Sequence, residues 1–177
     1  MSEALRPSRA AITCQGKLFL IFQVGAERFA LAATDIGEVL PCVPLKAVAQ
    51  APAWVAGIFA HRGRVVPVID VGQLMFGKPA PQRTSTRLVL VHYRADPARP
   101  DLRLGLILEH ATNTLRCDPR DFRPYEVSNA NTPYLGPVRE DEQGLLQWVG
   151  VQDLLDDQVR QLLFAPQLAA SLKDGDD

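Results

Sequence analysis

Short apolar runs broken by turn residues dominate the chain. KLFLIFQV, from Lys17 to Val24, is apolar at nearly every position and rich in Phe and Ile, which suits a strand covered on both faces. GAE then turns the chain into RFALAA, and the two runs predict a first hairpin. In TDIGEVL, Thr34 can cap a short helical turn, with Asp35 complementing the turn's N-terminus and Pro41 stopping it. VPLKAVAQAPAWV carries Pro44 and Pro52 and reads as a connection with little regular structure. Strands are predicted around Val55 to Phe59 and Arg64 to Asp70, with His61, Arg62 and Gly63 at the turn between them. Pro67 has no N–H to give a ladder, so its strand is expected to be an edge or to bulge there.

FGKPAPQRTST is a loop by composition, and RLVLVHY resumes strand character. After the turn RADPARPD, the segment LRLGLILEH sets Leu102, Leu104, Leu106 and Leu108 on one face at period two. NTPYLGPV and GLLQWVG form a closing pair of short strands. VQDLLDDQVRQLLF places Val151, Leu154, Leu155, Val159, Leu162 and Leu163 at helical spacing, an amphipathic helix that Pro166 ends. Residues 1–15 and 166–177 lack any period and read as solvated tails around one domain over 16–165. Many short strands with regular turns indicate a mainly β fold, one barrel or two paired barrels, with a C-terminal helix. The crossover helices of a parallel α/β sheet are missing.

Length and charge narrow this further. A chain of 177 residues with 47% apolar content supports one ordinary domain or two small ones sharing a core. A net charge of −1 gives no global attraction to nucleic acid or an anionic membrane, although a local basic groove is compatible with it. No apolar run reaches eighteen residues and MSEALRPSRAAITCQG lacks the apolar stretch of a secretory signal, so direct membrane insertion is not expected and a cytoplasmic location is.

Candidate chemistry is sparse. Cys14, Cys42 and Cys117 are widely spaced and include no CxxC pair, and His61, His92 and His110 show neither HExxH nor paired ligand spacing, so no metal is expected. Neither a GxSxG elbow nor a phosphate-cradling glycine loop occurs, and no cofactor or catalytic residue is assigned. Asp70 ends an apolar strand as a phosphoacceptor would, but the neighbouring acidic pair needed for magnesium is absent; Asp156 and Asp157 read as solvated charges on a helix face. Small barrels also bind oligonucleotides through aromatic platforms, yet Phe19, Phe22 and Trp148 lie within apolar runs, where core packing explains them better.

Four blocks in order, FLIFQVGAERFALAATDIGEVL, APAWVAGIFAHRGRVVPVIDVGQLMFG, LGLILEHATNTL and YLGPV, resemble the CheW-like chemotaxis coupling proteins from about Lys17 to Phe164. The resemblance implies two small, intertwined five-stranded SH3-like barrels around a shared core. It implies a non-catalytic adaptor that couples the regulatory domain of a CheA-type histidine kinase to the cytoplasmic tip of methyl-accepting chemoreceptors. The protein would then be cytoplasmic and recruited to membrane-associated receptor arrays. Carried onto this chain, the implied receptor-binding residues are Ile36, Glu38, Gly57, Arg62 and Gly63; no kinase-binding residues are implied. Ala60 and His61 stand where the family usually has Asn-Leu before Arg-Gly, and Glu109 where it often has aspartate. Gly63 permits a tight turn from which Arg62 can project its donor fork toward Glu38 or a partner carboxylate. A solvated turn with an internal ion pair is the plainer role for the same residues, and a barrel binding a small ligand or an oligonucleotide is the alternative function.

Overall fold

The computed structural model describes residues 16–124 and 131–164. In chain order the strands are β1 Lys17–Val24, β2 Glu27–Ala32, β3 Ile36–Pro41, β4 Val55–His61, β5 Arg64–Asp70, β6 Arg87–His92, β7 Arg103–Cys117, β8 Leu135–Asp141 and β9 Gly144–Val149. Helix α1, Val71–Phe76, follows β5, and α2, Asp157–Leu163, comes last. Single 3-10 turns occupy Ala33–Asp35, Pro119–Asp121 and Val151–Asp153.

The strands form two five-stranded halves joined through β7. In one half, β3 pairs antiparallel with β6, β6 with the first part of β7, β7 parallel with β5, and β5 antiparallel with β4. In the other half the last part of β7 pairs antiparallel with β1, β1 with β2, β2 parallel with β9, and β9 antiparallel with β8. The two pairing lists are the same, strand for strand. Each half is also closed by one reciprocal bridge: Lys46 and Ile58 exchange two backbone hydrogen bonds of 2.8 Å, and Arg123 and Val138 exchange bonds of 2.7 and 2.9 Å. Strand β7 changes partners between halves, from β6 up to Leu108 to β1 from Glu109 on, beside His110 with a φ of 50°.

Period-two alternation explains why so many strands are apolar on both faces. Phe19, Ile21, Ala30, Ala32, Cys117, Phe122 and Leu146 fill the interior of the second half. Val66, Val68, Leu88 and Leu90 fill the first. The intervening positions, among them Leu20, Phe22, Phe29, Leu31, Val89, Val91, Leu104, Leu106 and Leu108, meet in a larger cluster that α2 also joins through Val159 and Leu163. At roughly 25 cal/mol per Å² of buried apolar surface, this common cluster makes the halves mutually dependent.

Four expectations need correction. Thr34 does not cap a helix: the turn at Ala33–Asp35 is a lone 3-10 turn without side-chain capping, and IGEVLP forms β3, because its alternation lets it complete the ladder with β6. Pro67 causes neither an edge strand nor a bulge; β5 is flanked on both sides, and Pro67 is accommodated because the pairing with β7 begins one residue later, at Val68. The leucine-rich strand runs on to Cys117. The last amphipathic segment is broken in two, since Asp156 accepts from Val159 N at 2.8 Å and caps α2. Asp156 is therefore a cap, while Asp157 pairs with Arg160. Pro166 lies outside the described residues.

Candidate partner-binding site

The β4–β5 hairpin is tighter than its sequence implies. His61 pairs with Arg64, leaving Arg62 and Gly63 as a two-residue turn with φ values of 51° and 77°. Two positive φ values are the geometry of a type I′ turn, whose twist matches that of the flanking strands. Glycine takes it freely, whereas arginine gives up about 1 kcal/mol to enter the left-handed region. The turn aims its side chains at β3, where a bulge between Ile36 and Glu38 shifts the register against β6. Glu38 Oε1 accepts from Arg62 Nη2 at 3.2 Å, and Glu38 Oε2 lies 3.0 Å from His61 Nε2. His61 is 22% exposed and Glu38 31%, but Arg62 is 77% exposed and keeps most of its donors toward solvent.

This cluster forms one wall of a cleft of about 400 Å³ at the mouth of the first half. Val66 and Leu90, each 2% exposed, lie at its base as part of the interior cluster. Arg64, His92, Asp101 and Arg103 line the rest of it. Arg64 Nη1 donates to the Asp101 main-chain oxygen at 3.3 Å, and His92 faces Arg103 across the β6–β7 ladder. A second, open hollow of about 550 Å³ meets the cleft at His61 and is lined by apolar side chains that include Leu40, Val43, Ile58 and Phe59.

Of the residues singled out in sequence, Ile36, Glu38 and Arg62 line the cleft and Gly63 completes its turn. Gly57 lies elsewhere. It is buried with a φ of 147°, and a Cβ there would come within 2.5 Å of the Lys46 carbonyl oxygen, so it serves the bridge that closes the half. The sequence alone assigns none of His61, Arg64, His92 and Arg103 to a site, and the structure brings all four to the cleft. Arg64 sits beside a turn already singled out, but His92 and Arg103 join it only through the β6–β7 register, for which a single sequence carries no signal.

The remaining chemical candidates have structural work. Asp70 caps α1, accepting from Gln73 N at 3.2 Å and from Ala80 N at 2.9 Å. The D-x-x-Q spacing was its signal. Burial pushes the thiols of Cys42 and Cys117 up, which keeps them protonated and poorly nucleophilic near neutral pH; Cys14 lies outside the described residues. Phe19 and Phe22 are buried, and Trp148 packs edge-on to Phe19 at 4.9 Å, so these aromatics offer no stacking platform. Among the described residues no group of three or more His, Cys, Asp or Glu could hold a metal ion, and no helix is long and apolar enough to cross a membrane.

The CheW-like domain matches residues 18–159. The chain belongs to the CheW-like domain family. It is 29% identical to the chemotaxis protein CheW of Helicobacter pylori over 139 residues, covering 77% of this chain and 80% of the relative. It is 26% identical to the chemotaxis protein CheW of Rhizobium meliloti over 114 residues, covering 64% and 69%. The crystal structure of the scaffolding protein TtCheW from Thermoanaerobacter tengcongensis superposes with a TM-score of 0.70 over 80% of this chain and 88% of that one, at 19% identity, a likeness of fold. The mainly β, two-half architecture is that of a CheW-like domain.

Proposed function

We propose that this CheW-like protein is a non-catalytic adaptor of a chemosensory array, linking the regulatory domain of a CheA-type histidine kinase to the cytoplasmic tip of methyl-accepting chemoreceptors. The observation that carries the receptor side is the Glu38–His61–Arg62 cluster, which holds an exposed arginine in a strained turn over an open cleft. Strain kept at a surface position supports a binding role, because a purely structural turn would relax it. A guanidinium fixed by a carboxylate on one side and free on the other is preorganised for a partner. The kinase domain is assigned to exposed apolar strand ends of one half, with Val39, 46% exposed on β3 of the first half, and Leu145, 60% exposed on β9 of the second, as alternative candidates. Recruitment to receptor arrays from the cytoplasm follows from that reading.

Reconstitution tests it. Purified protein should bind both a soluble receptor-tip fragment and the kinase regulatory domain, and should bring the two into one complex by size-exclusion chromatography. Glu38→Ala should lose receptor binding while retaining the kinase domain. Absence of saturable binding to both fragments up to about millimolar concentration, the weak end of the affinity scale, overturns the adaptor reading.

A further inference from the structure

Resting on the reading of this cleft as a partner-binding site, we infer that its Arg64–Arg103 wall reads a carboxylate, taking an aspartate or glutamate side chain of the polypeptide segment that docks over Glu38, His61 and Arg62. The cleft is lined by three arginines, Arg62, Arg64 and Arg103, against two carboxylates. Glu38 already has both oxygens engaged, by His61 and Arg62. Asp101 offers Arg64 its main-chain oxygen, and its exposed carboxylate makes no ion pair with any described residue. Arg103, half-buried on β7 opposite His92, makes no hydrogen bond or ion pair with the described residues. A half-desolvated guanidinium without an anion is an unmet cost of folding, which an incoming carboxylate would offset through the paired bonds that its planar fork matches.

Two features favour an acidic side chain over a phosphate. Val66 and Leu90 at the base suit the methylene stem of a glutamate, and the Glu38 and Asp101 carboxylates at the rim would repel a dianion more than a monoanion. The cleft is also of side-chain size, too small for a nucleic-acid duplex.

The test is an NMR titration of the full chain, following the arginine Nε–Hε signals, with an alanine-rich helical peptide bearing glutamates along one face. Its glutamine counterpart and inorganic phosphate serve as competing probes. Saturable shifts at Arg64 and Arg103 with the glutamate peptide are expected, together with at least about tenfold weaker binding of the glutamine peptide and of the Arg103→Glu variant, as loss of a charge-assisted pair implies. Arg64→Glu, at an exposed position, should show the same loss and keeps the test decisive should Arg103→Glu fold poorly. Equal binding of the two peptides, unchanged binding by Arg64→Glu, or tighter binding of phosphate than of the peptide overturns the inference. A receptor-tip fragment separates the two readings. If it binds wild type and Arg64→Glu equally, the carboxylate wall is wrong and the receptor assignment stands; if it does not bind while the glutamate peptide does, the receptor assignment is wrong and the wall stands.

Discussion

The two halves share one pairing pattern and treat charge in opposite ways. At the mouth of the second half, Arg28 sets both guanidinium nitrogens on the Asp141 carboxylate at 2.8 and 3.1 Å, Arg139 approaches the same aspartate at 3.5 Å, and Asp141 Oδ1 also accepts from Gln143 N within its own hairpin turn. Arg28 and Asp141 are only 14% and 21% exposed. At the mouth of the first half, Glu38 is shared between His61 and an exposed Arg62, while Arg64 and Arg103 have no carboxylate partner among the described residues. One copy of the pattern satisfies its ions internally and, for receptor binding, is the structural half; the other leaves donors facing an open cleft and is the recognition half on the proposed reading of the site.

Substitutions in the two halves should therefore separate stability from binding. The largest effect is expected from Phe19→Ala. This side chain is fully buried inside the structural half, against Phe122 at 5.1 Å and Trp148 at 4.9 Å. Its loss should remove about 4 kcal/mol, in the range of buried Phe truncations, and lower the melting temperature by roughly 10 °C or more. Receptor-tip affinity of the protein that remains folded should not change, and a loss of affinity without a loss of melting temperature would erase the division between the halves.

Gly57→Ala tests the recognition half as a folded object. The new Cβ would meet the Lys46 carbonyl oxygen in a backbone conformation that alanine rarely adopts, so about 3 kcal/mol should be lost as the closing bridge opens. Hydrogen exchange should rise first at the Lys46 and Ile58 amides, ahead of those of Arg123 and Val138. Uniform acceleration in both bridges would mean that the halves close as one unit.

Most of this fold is legible in the sequence, for a physical reason. Strands buried on both faces, such as KLFLIFQV, state their burial in composition alone, and the HRG turn announces its hairpin. IGEVLP is misread because Thr34 and Asp35 are equally good in a cap and in a 3-10 turn; only the ladder with β6 decides between them. The break in the last helix is missed because helical spacing persists across Asp156 while its side chain caps a new start. In the site, Arg62 and Glu38 are brought together by the resemblance of their blocks to the CheW-like family, since no spacing rule links positions 24 residues apart. Arg103 and His92 are not, because register and closure bring them to the cleft, and both are properties of the whole sheet.

A smaller effect is expected for Asp141→Asn, about 1 kcal/mol for a partly exposed but bidentate pair. Hydrogen bonding from Arg28 holds the Asp141 carboxyl below the usual aspartate range. A carboxylate with a depressed folded pKa stabilises above its unfolded value, near 3.9, and loses that contribution as pH falls through the folded value. The gap between wild type and Asp141→Asn in chemical denaturation should thus be constant around neutral pH and shrink below about pH 4. A gap that widens on acidification would mean that the pair does not stabilise this half.

The smallest effect on stability, and the sharpest contrast between the halves, is expected from Arg62→Gly. Replacing arginine at a φ of 51° relieves about 1 kcal/mol of left-handed strain. Against this stand an exposed ion pair with Glu38, worth less than about 1 kcal/mol, and the extra freedom of glycine in the unfolded chain, of similar size. The melting temperature should accordingly move by no more than about 4 °C. Binding to the receptor tip should nonetheless fall by roughly 30-fold, the equivalent of about 2 kcal/mol at the centre of an interface. Arg62→Lys should recover only part of it, because an ammonium cannot supply two parallel donors. The proposed receptor contact would explain an arginine held against its backbone preference while adding little to stability. Should Arg62→Gly melt far below wild type with its receptor affinity intact, the turn is a structural element like the Arg28–Asp141 mouth, and the difference between the halves is one of geometry without recognition.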